Sequence, residues 1–484
     1  MKKKRVIGIL VLSIFMLMGT SAHSGKPKYH VIVDTDGAID DMRAISMLLS
    51  GNDIRVLAIT CSQGTLLPDT VYTKVCSLLS AFHHEGIPLG LSTQTDFELP
   101  DWESFASDIN WSKAVQEEKP GCQVRSTEVL NRAIEDYRSK VTLIALGSLK
   151  TYADWLKANS SAAEKIDRII WYNNHNIKEG FNYKVSPESY DYIKQCGILL
   201  EIAANNSNDL LVSSEYLDLV GSSGSVYGKQ IEDVHTQPKV IERINDKHLH
   251  LWDDIVPLYL TIPLLFDVEI ADNIKFTSLN PQLPSAMVYE MIHWLLKSAN
   301  ATNNRVFTSF PVDTTLYKPE YARILTETIE RFGLVEWKAI CMTNEIHGHT
   351  GIYSIIGAKM GIRAIEYFNV GVNNLNVITF AGNTPPLSCF NDGLQISSGA
   401  TIGQGLITVS DSISSTPLVI FEFNKQKVRI SLKQEFAEKM RNEIAYGVSN
   451  YGLVSDTYWL YIERLAIDYW EGFDRHEIFL IERL

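Results

Sequence analysis

The chain has 484 residues, 45% of them hydrophobic and 21% charged, which excludes a disordered or low-complexity protein and leaves room for several domains. Its formal net charge of −13 excludes a general basic face for nucleic acid or an anionic membrane. No run of like charge marks an interaction tail.

Lys2-Lys3-Lys4-Arg5 precedes an apolar run from Val6 to Met18, and Gly19-Thr20-Ser21-Ala22 follows. A basic start, a short apolar stretch and a small-residue zone predict export, with cleavage near Ala22. The run is too short for a comfortable membrane span, so a periplasmic or secreted protein without a membrane anchor is expected. The six cysteines form no C-x-x-C pair or regular framework and read mostly as buried thiols.

Val31-Ile32-Val33 reads as a buried strand, and Met42, Ile45, Leu48 and Leu49 recur at helical spacing. Between them lie Asp34, Asp36, Asp40 and Asp41, around Gly37. This strand–turn–helix places four carboxylates at the strand's carboxyl end, where open α/β sheets bind ligands. At about 4 Å each like-charged pair costs roughly 4 kcal/mol at an effective dielectric near 20. Helix N-terminal amides offset one or two of these charges, and a hard cation on all-oxygen ligation offsets the rest. The plainer alternative is a helix cap plus solvated charges.

Asp34-Thr35-Asp36-x-x-x-Asp40-Asp41 resembles the signature of the inosine-uridine-preferring, Ca²⁺-dependent nucleoside hydrolases, with Gly37-Ala38 at the family's Pro-Gly. The resemblance implies that Asp34 and Asp41 bind Ca²⁺, that Asp34 also activates the attacking water, and that Asp40 orients the ribose. Asp36, in the same cluster, is a secondary candidate beside them.

Ile54 to Thr60 reads as the next strand, and Thr65 stands where the family has a ribose-contacting Asn, so the resemblance makes its shorter hydroxyl a substrate-binding candidate. Trp102 and Trp111 lie in a loop-like stretch, as packing or as a stacking surface for a flat ligand. Val141 to Leu149 resembles the family strand whose main-chain carbonyl binds the metal, which puts the Leu146 carbonyl at the ion. Asn174 and Asn182 fall where ribose contacts are expected, but Gly180 replaces a sugar-binding glutamate. Leu251 to Phe266 resembles the family's His-Asp-Pro helix, so Asp253 becomes the distal Ca²⁺ ligand. Trp252 replaces the histidine that protonates a purine leaving group. It can stack on substrate but delivers no proton, which leaves His250 or His248 as replacement donors.

The composition changes from about Leu334. His347-Gly348-His349, Cys389-Phe390-Asn391-Asp392-Gly393-Leu394-Gln395 and Gly399-Ala400-Thr401 resemble the FmdE-like domains, a family named after formylmethanofuran dehydrogenase. The resemblance implies a transition metal, zinc or similar, on His347, His349 and Cys389. Gly351 and Ala400 stand at two family cysteines.

The expected architecture is therefore a signal peptide over 1–22, a mostly parallel α/β sheet flanked by helices over 27–333, and a smaller α+β unit over 334–484. The expected function is Ca²⁺-dependent hydrolysis of a nucleoside or related riboside. Two competing expectations are a non-catalytic Ca²⁺-dependent riboside- or sugar-binding protein, and a metal-dependent activity in the second unit. The oligomeric state, a homo-oligomer included, is left open.

Overall fold

A computed structural model of the protein describes residues 27–112, 123–135, 137, 139–205, 210–271, 274–300, 304 and 306–484. The export segment and Cys122 lie outside the described residues. Among those residues, no helix is long and apolar enough to cross a membrane.

The first sheet has nine strands: β1 (Tyr29–Thr35), β2 (Ile54–Cys61), β3 (Leu89–Leu91), β4 (Val124–Arg125), β5 (Val141–Ala145), β6 (Ile166–Tyr172), β7 (Leu199–Ala204), β8 (Phe266–Ala271) and β9 (Ile274–Leu279). Their spatial order is β4-β3-β2-β1-β5-β6-β7-β9-β8. All neighbours run parallel except β8 and β9. The order reverses between β1 and β5, which opens a crevice at their carboxyl ends. Val31 and Val33 pack into one core and Ile32 into another, so both faces of the sheet are covered. That two-sided burial is why the strands read as continuous apolar runs.

Three helices frame the crevice: α1 (Ile39–Ser50), α2 (Ser126–Glu135) and α3 (Lys150–Ala158). The turn from β1 into α1 passes through Gly37 at φ +82°, a conformation that L side chains rarely adopt. A Cβ there would also lie 3.1 Å from the Leu66 and Val71 side chains. Farther along come α4 (Phe181–Val185), α5 (Val226–His235) and α6 (Ile255–Thr261).

A second, five-stranded sheet contains β10 (Asn376–Thr379), β11 (Ile407–Val409), β12 (Leu418–Phe423), β13 (Gln426–Leu432) and β14 (Phe479–Arg483). Its order is β11-β10-β12-β13-β14, antiparallel except for β10 with β11. It shares a core with helices α7 (Leu325–His347), α8 (Ile352–Phe368), α9 (Phe390–Ser398) and α10 (Asp456–Gly472). Phe310, Ile324 and Leu325 belong to this second core. These residues fall within the 27–333 stretch expected to form the first unit, yet their side chains pack with the second, and α7 runs on past 333 through a kink at Gly333.

The end of α8 joins the two sheets. Arg363 donates to both Glu85 carboxylate oxygens, at 3.0 and 3.1 Å, and to the His83 carbonyl at 3.0 Å. The Gly86 N–H donates to the Tyr367 carbonyl at 2.8 Å.

Candidate metal and riboside site

Asp34 still lies inside the sheet ladder, opposite Thr60 on β2 and Ala145 on β5. Its side chain is therefore held by its neighbours: Thr60 Oγ1 donates to Oδ1 at 2.6 Å and Ser62 Oγ to Oδ2 at 2.7 Å. Burial pushes the Asp34 carboxyl up to about 7. Asp36 is the first aspartate beyond the ladder. Its carboxylate sits against two glycines. A Cβ at Gly64 would lie 2.1 Å from Asp36 Oδ2, and one at Gly147 3.2 Å from its Cβ.

The α1 N-terminus supplies Asp40 and Asp41. Asp41 Oδ2 accepts hydrogen bonds from Thr35 Oγ1 at 2.6 Å, the Asp36 N–H at 2.9 Å and the Gly37 N–H at 3.3 Å. Ligand atoms of Asp40, Asp41 and Asp253 all lie within 4.8 Å of one another. Asp253 comes from 212 residues after Asp41 in the chain and is nevertheless brought into the same group.

One buried cation accounts for that meeting. Arg43, on α1, donates from Nε and Nη2 to the two oxygens of Asp254, both at 2.8 Å, and from Nη2 to the His250 carbonyl at 2.8 Å. Its Nη1 lies 3.3 Å from His235 Nε2 at the end of α5. Both partners of the Arg43–Asp254 ion pair are fully buried. The pair fixes the 250–254 segment against α1 and so sets Asp253 beside Asp41.

The electrostatics of the cluster are those of a cation site. Burial, first of all, raises the carboxyls of Asp36, Asp41 and Asp253, and it pushes Asp40 up to about 7. Their mutual charge raises Asp36, Asp40 and Asp253 further. Asp36 Oδ1 and Asp253 Oδ1 are buried without a hydrogen-bond partner. Leaving such oxygens unpaired is costly, and a hard cation on oxygen ligands relieves both the repulsion and the missing contacts. The residues present fit such an ion.

Neither Asp34 nor Asp36 belongs to the group that Asp40, Asp41 and Asp253 form among the described residues, although the Asp41 charge acts on both. What separates them is their oxygens: those of Asp34 are taken by Thr60 and Ser62, whereas Asp36, a secondary candidate from the sequence, keeps Oδ1 unpartnered and is linked by charge to Asp40, Asp41 and Asp253. The Leu146 carbonyl accepts a hydrogen bond from Asn182 Nδ2 at 2.6 Å, next to the Gly147–Asp36 contact. Thr65 serves Asp36, donating from backbone and hydroxyl. Asn174 is exposed, and its side-chain oxygen accepts from the Asn176 N–H at 2.8 Å in a local turn. Tyr172, unmarked in the sequence, has its hydroxyl held protonated by burial and by the charges of Asp253 and Asp40.

His250 stacks on Trp252, with ring centroids 5.0 Å apart and planes 5° from parallel. Burial lowers its pKa, which keeps the ring neutral and opposes a proton-donor role. Trp252 remains 43% exposed and forms a lip beside Asp253.

Gly180 has no room for the glutamate expected there: its Cβ would lie 1.9 Å from Asn173 Oδ1. A Gly180→Glu variant must displace Asn173, whose Nδ2 donates to the Ile177 carbonyl at 3.0 Å. It is expected to lose about 1–3 kcal/mol of stability, read as a lower denaturation midpoint.

In the second unit His347, His349 and Cys389 do not converge into a ligand group among the described residues. His347 Nδ1 pairs with Asp392 Oδ2 at 2.7 Å, and His349 rests edge-on against Trp459. Burial, with the Asp392 charge, raises the Cys389 thiol and favours its protonated form, a poor metal ligand. Gly351 adds no donor beside His347 Nε2.

Residues 31–272 match the family described as inosine-uridine preferring nucleoside hydrolase, half of the chain. The chain belongs to this family. Residues 346–450 match the FmdE family, described as molybdenum formylmethanofuran dehydrogenase operon. Among curated nucleoside hydrolase relatives, uridine nucleosidase 1 of Arabidopsis thaliana is 24% identical over 217 residues, 42% of this chain and 65% of its own length. The pyrimidine-specific ribonucleoside hydrolase RihA of Shewanella baltica is 27% identical over 179 residues, 35% of this chain and 56% of its own. The chain thus spans less than two thirds of either relative. Solved structures of similar shape include the plant nucleoside hydrolase PpNRh1 (19% identity, TM-score 0.47, 56% of this chain and 99% of that one). Another is the purine-preferring ribonucleoside hydrolase from Gardnerella vaginalis (14%, TM-score 0.47, 56% and 100%).

Proposed function

We propose that the first unit hydrolyses the N-glycosidic bond of a nucleoside or related riboside, and that Asp36, Asp41, Asp253 and the Leu146 carbonyl hold Ca²⁺ there. The carrying observation is the convergence of buried carboxylates, with the Asp36 and Asp253 oxygens left unpartnered, at the carboxyl edge of a nucleoside hydrolase sheet. An all-oxygen donor set suits Ca²⁺ better than zinc. When bound, the ion supplies the positive charge that offsets the aspartates and makes a water in the site more acidic.

Asp36 takes over the role that the sequence gave to Asp34. Its unpartnered Oδ1 accepts the proton of the attacking water as the anomeric carbon develops oxocarbenium character. Asp40 orients the ribose, and Asn182 holds the Leu146 carbonyl in place. Trp252 offers a face for the departing base. Export through the Val6–Met18 segment belongs to the same proposal.

Release of free base from uridine and inosine by the purified protein is the test. Activity is expected to vanish with a calcium chelator and to return with Ca²⁺ but not with Zn²⁺. Calcium-dependent riboside binding without any base release would overturn hydrolysis and leave a binding module.

A further inference from the structure

A cavity system lies beside Ser62, the residue whose hydroxyl donates to Asp34. An inner pocket of about 50 Å³ is lined by Ser62, Gln63, Ser92, Ser126, Ser148 and Thr151, with further hydroxyls around it. An outer groove of about 460 Å³ continues it through Thr93, Thr95, Lys150 and Asp154, and adds Asp96, Phe97 and Glu188. Neither is lined by Asp40, Asp41 or Asp253.

The walls of this groove are fixed by buried groups. Gln63, 3% exposed, accepts from the Thr95 N–H and donates to the Phe97 carbonyl, both at 2.7 Å. Ser92 Oγ and Thr151 Oγ1 are 2.9 Å apart, and Ser62 Oγ donates to Asp34. Phe97 in turn packs edge-on against Phe181, at 5.8 Å, and Phe181 against the half-exposed Trp102, at 5.2 Å.

Two ligand chemistries compete for such a lining. Hydroxyls at the starts of α2 and α3, with Lys150, would suit a phosphate. The charges decide against it. Asp96, Asp154 and Glu188 oppose one ammonium, and Lys150 Nζ already pairs with Asp154 at 2.8 Å. A neutral polyol fits instead. Its hydroxyls both donate and accept, as serine and threonine hydroxyls and carboxylates require, and its C–H face covers an aromatic ring such as Phe97.

We infer that this groove is a carbohydrate-binding subsite for a neutral sugar unit, separate from the carboxylate cluster and independent of the hydrolysis proposed above. Ligand-detected NMR and calorimetry on the full chain test it, with glucose, galactose and mannose as neutral probes and inorganic phosphate and glucose 6-phosphate as anionic ones. At least one neutral sugar is expected to bind and to be displaced by another neutral sugar, not by phosphate. Asp96→Ala and Phe97→Ala should each weaken that binding about tenfold, while Asp36→Asn leaves it unchanged. Base release from nucleosides, where present, should survive Asp96→Ala, so that loss of one property does not imply loss of the other. Binding of phosphate in preference to sugar, absence of binding by every neutral probe at tens of millimolar, or sugar binding indifferent to both groove variants would overturn the inference.

Discussion

Asp36→Asn is expected to lower nucleoside turnover by roughly a thousandfold, whereas Asp34→Asn should keep activity within about tenfold of the parent. The two aspartates are two residues apart and chemically identical, so the contrast isolates their surroundings. Asp36 offers an unpartnered buried oxygen in the carboxylate cluster. Asp34 spends both oxygens on Thr60 and Ser62. An amide at Asp34 keeps one acceptor oxygen, and the two hydroxyls can rotate to serve it. An amide at Asp36 removes the proton acceptor and one ligand charge together. Turnover at saturating nucleoside, alongside thermal denaturation of each variant, separates lost chemistry from lost folding. Equal losses at both positions would contradict the assignment.

Arg43→Ala is expected to cost about 3–5 kcal/mol, because it strands the Asp254 carboxylate in a fully buried place. Urea denaturation reads this directly. The double change Arg43→Met with Asp254→Leu should regain a large part of the loss, since it removes both charges rather than one. Arg43→Lys should not, because a single ammonium cannot reach both Asp254 oxygens and the His250 carbonyl at once. The Met/Leu double variant, although folded, should bind Ca²⁺ more weakly: Asp253 then loses the tether that sets it beside Asp41. A folded double variant with unchanged calcium affinity would show that the 250–254 segment is held by other means.

Much of the site was legible in the sequence because its determinants are local. The apolar run before Asp34, the glycine turn and the helical spacing after Asp40 fix a strand, a turn and a helix at whose junction acids must meet. Asp253 could be assigned only through family resemblance, since Arg43–Asp254, the contact that brings it in, joins residues 211 apart in the chain. The choice between Asp34 and Asp36 depended on where β1 stops pairing. Pairing with both β2 and β5 reaches Asp34 and ends before Asp36, and spacing alone does not encode that limit. Thr65 read as a sugar contact and Gly180 as a lost one, yet each has a local role: Thr65 holds Asp36, and Gly180 makes room for Asn173. In the second unit His-Gly-His suggested a metal. The turn at Gly348 sets the two rings 4.3 Å apart and also gives His347 to Asp392 and His349 to Trp459, contacts that no residue count predicts.

The central claim is that one ion is gripped by Asp36, Asp41 and Asp253 rather than by Asp34. Anomalous diffraction from crystals grown with a lanthanide in place of calcium tests it most directly. A single strong peak within coordination distance of Asp36, Asp41, Asp253 and the Leu146 carbonyl is the predicted result. A peak on the Asp34 carboxylate, or no peak near α1 at saturating lanthanide, would contradict it.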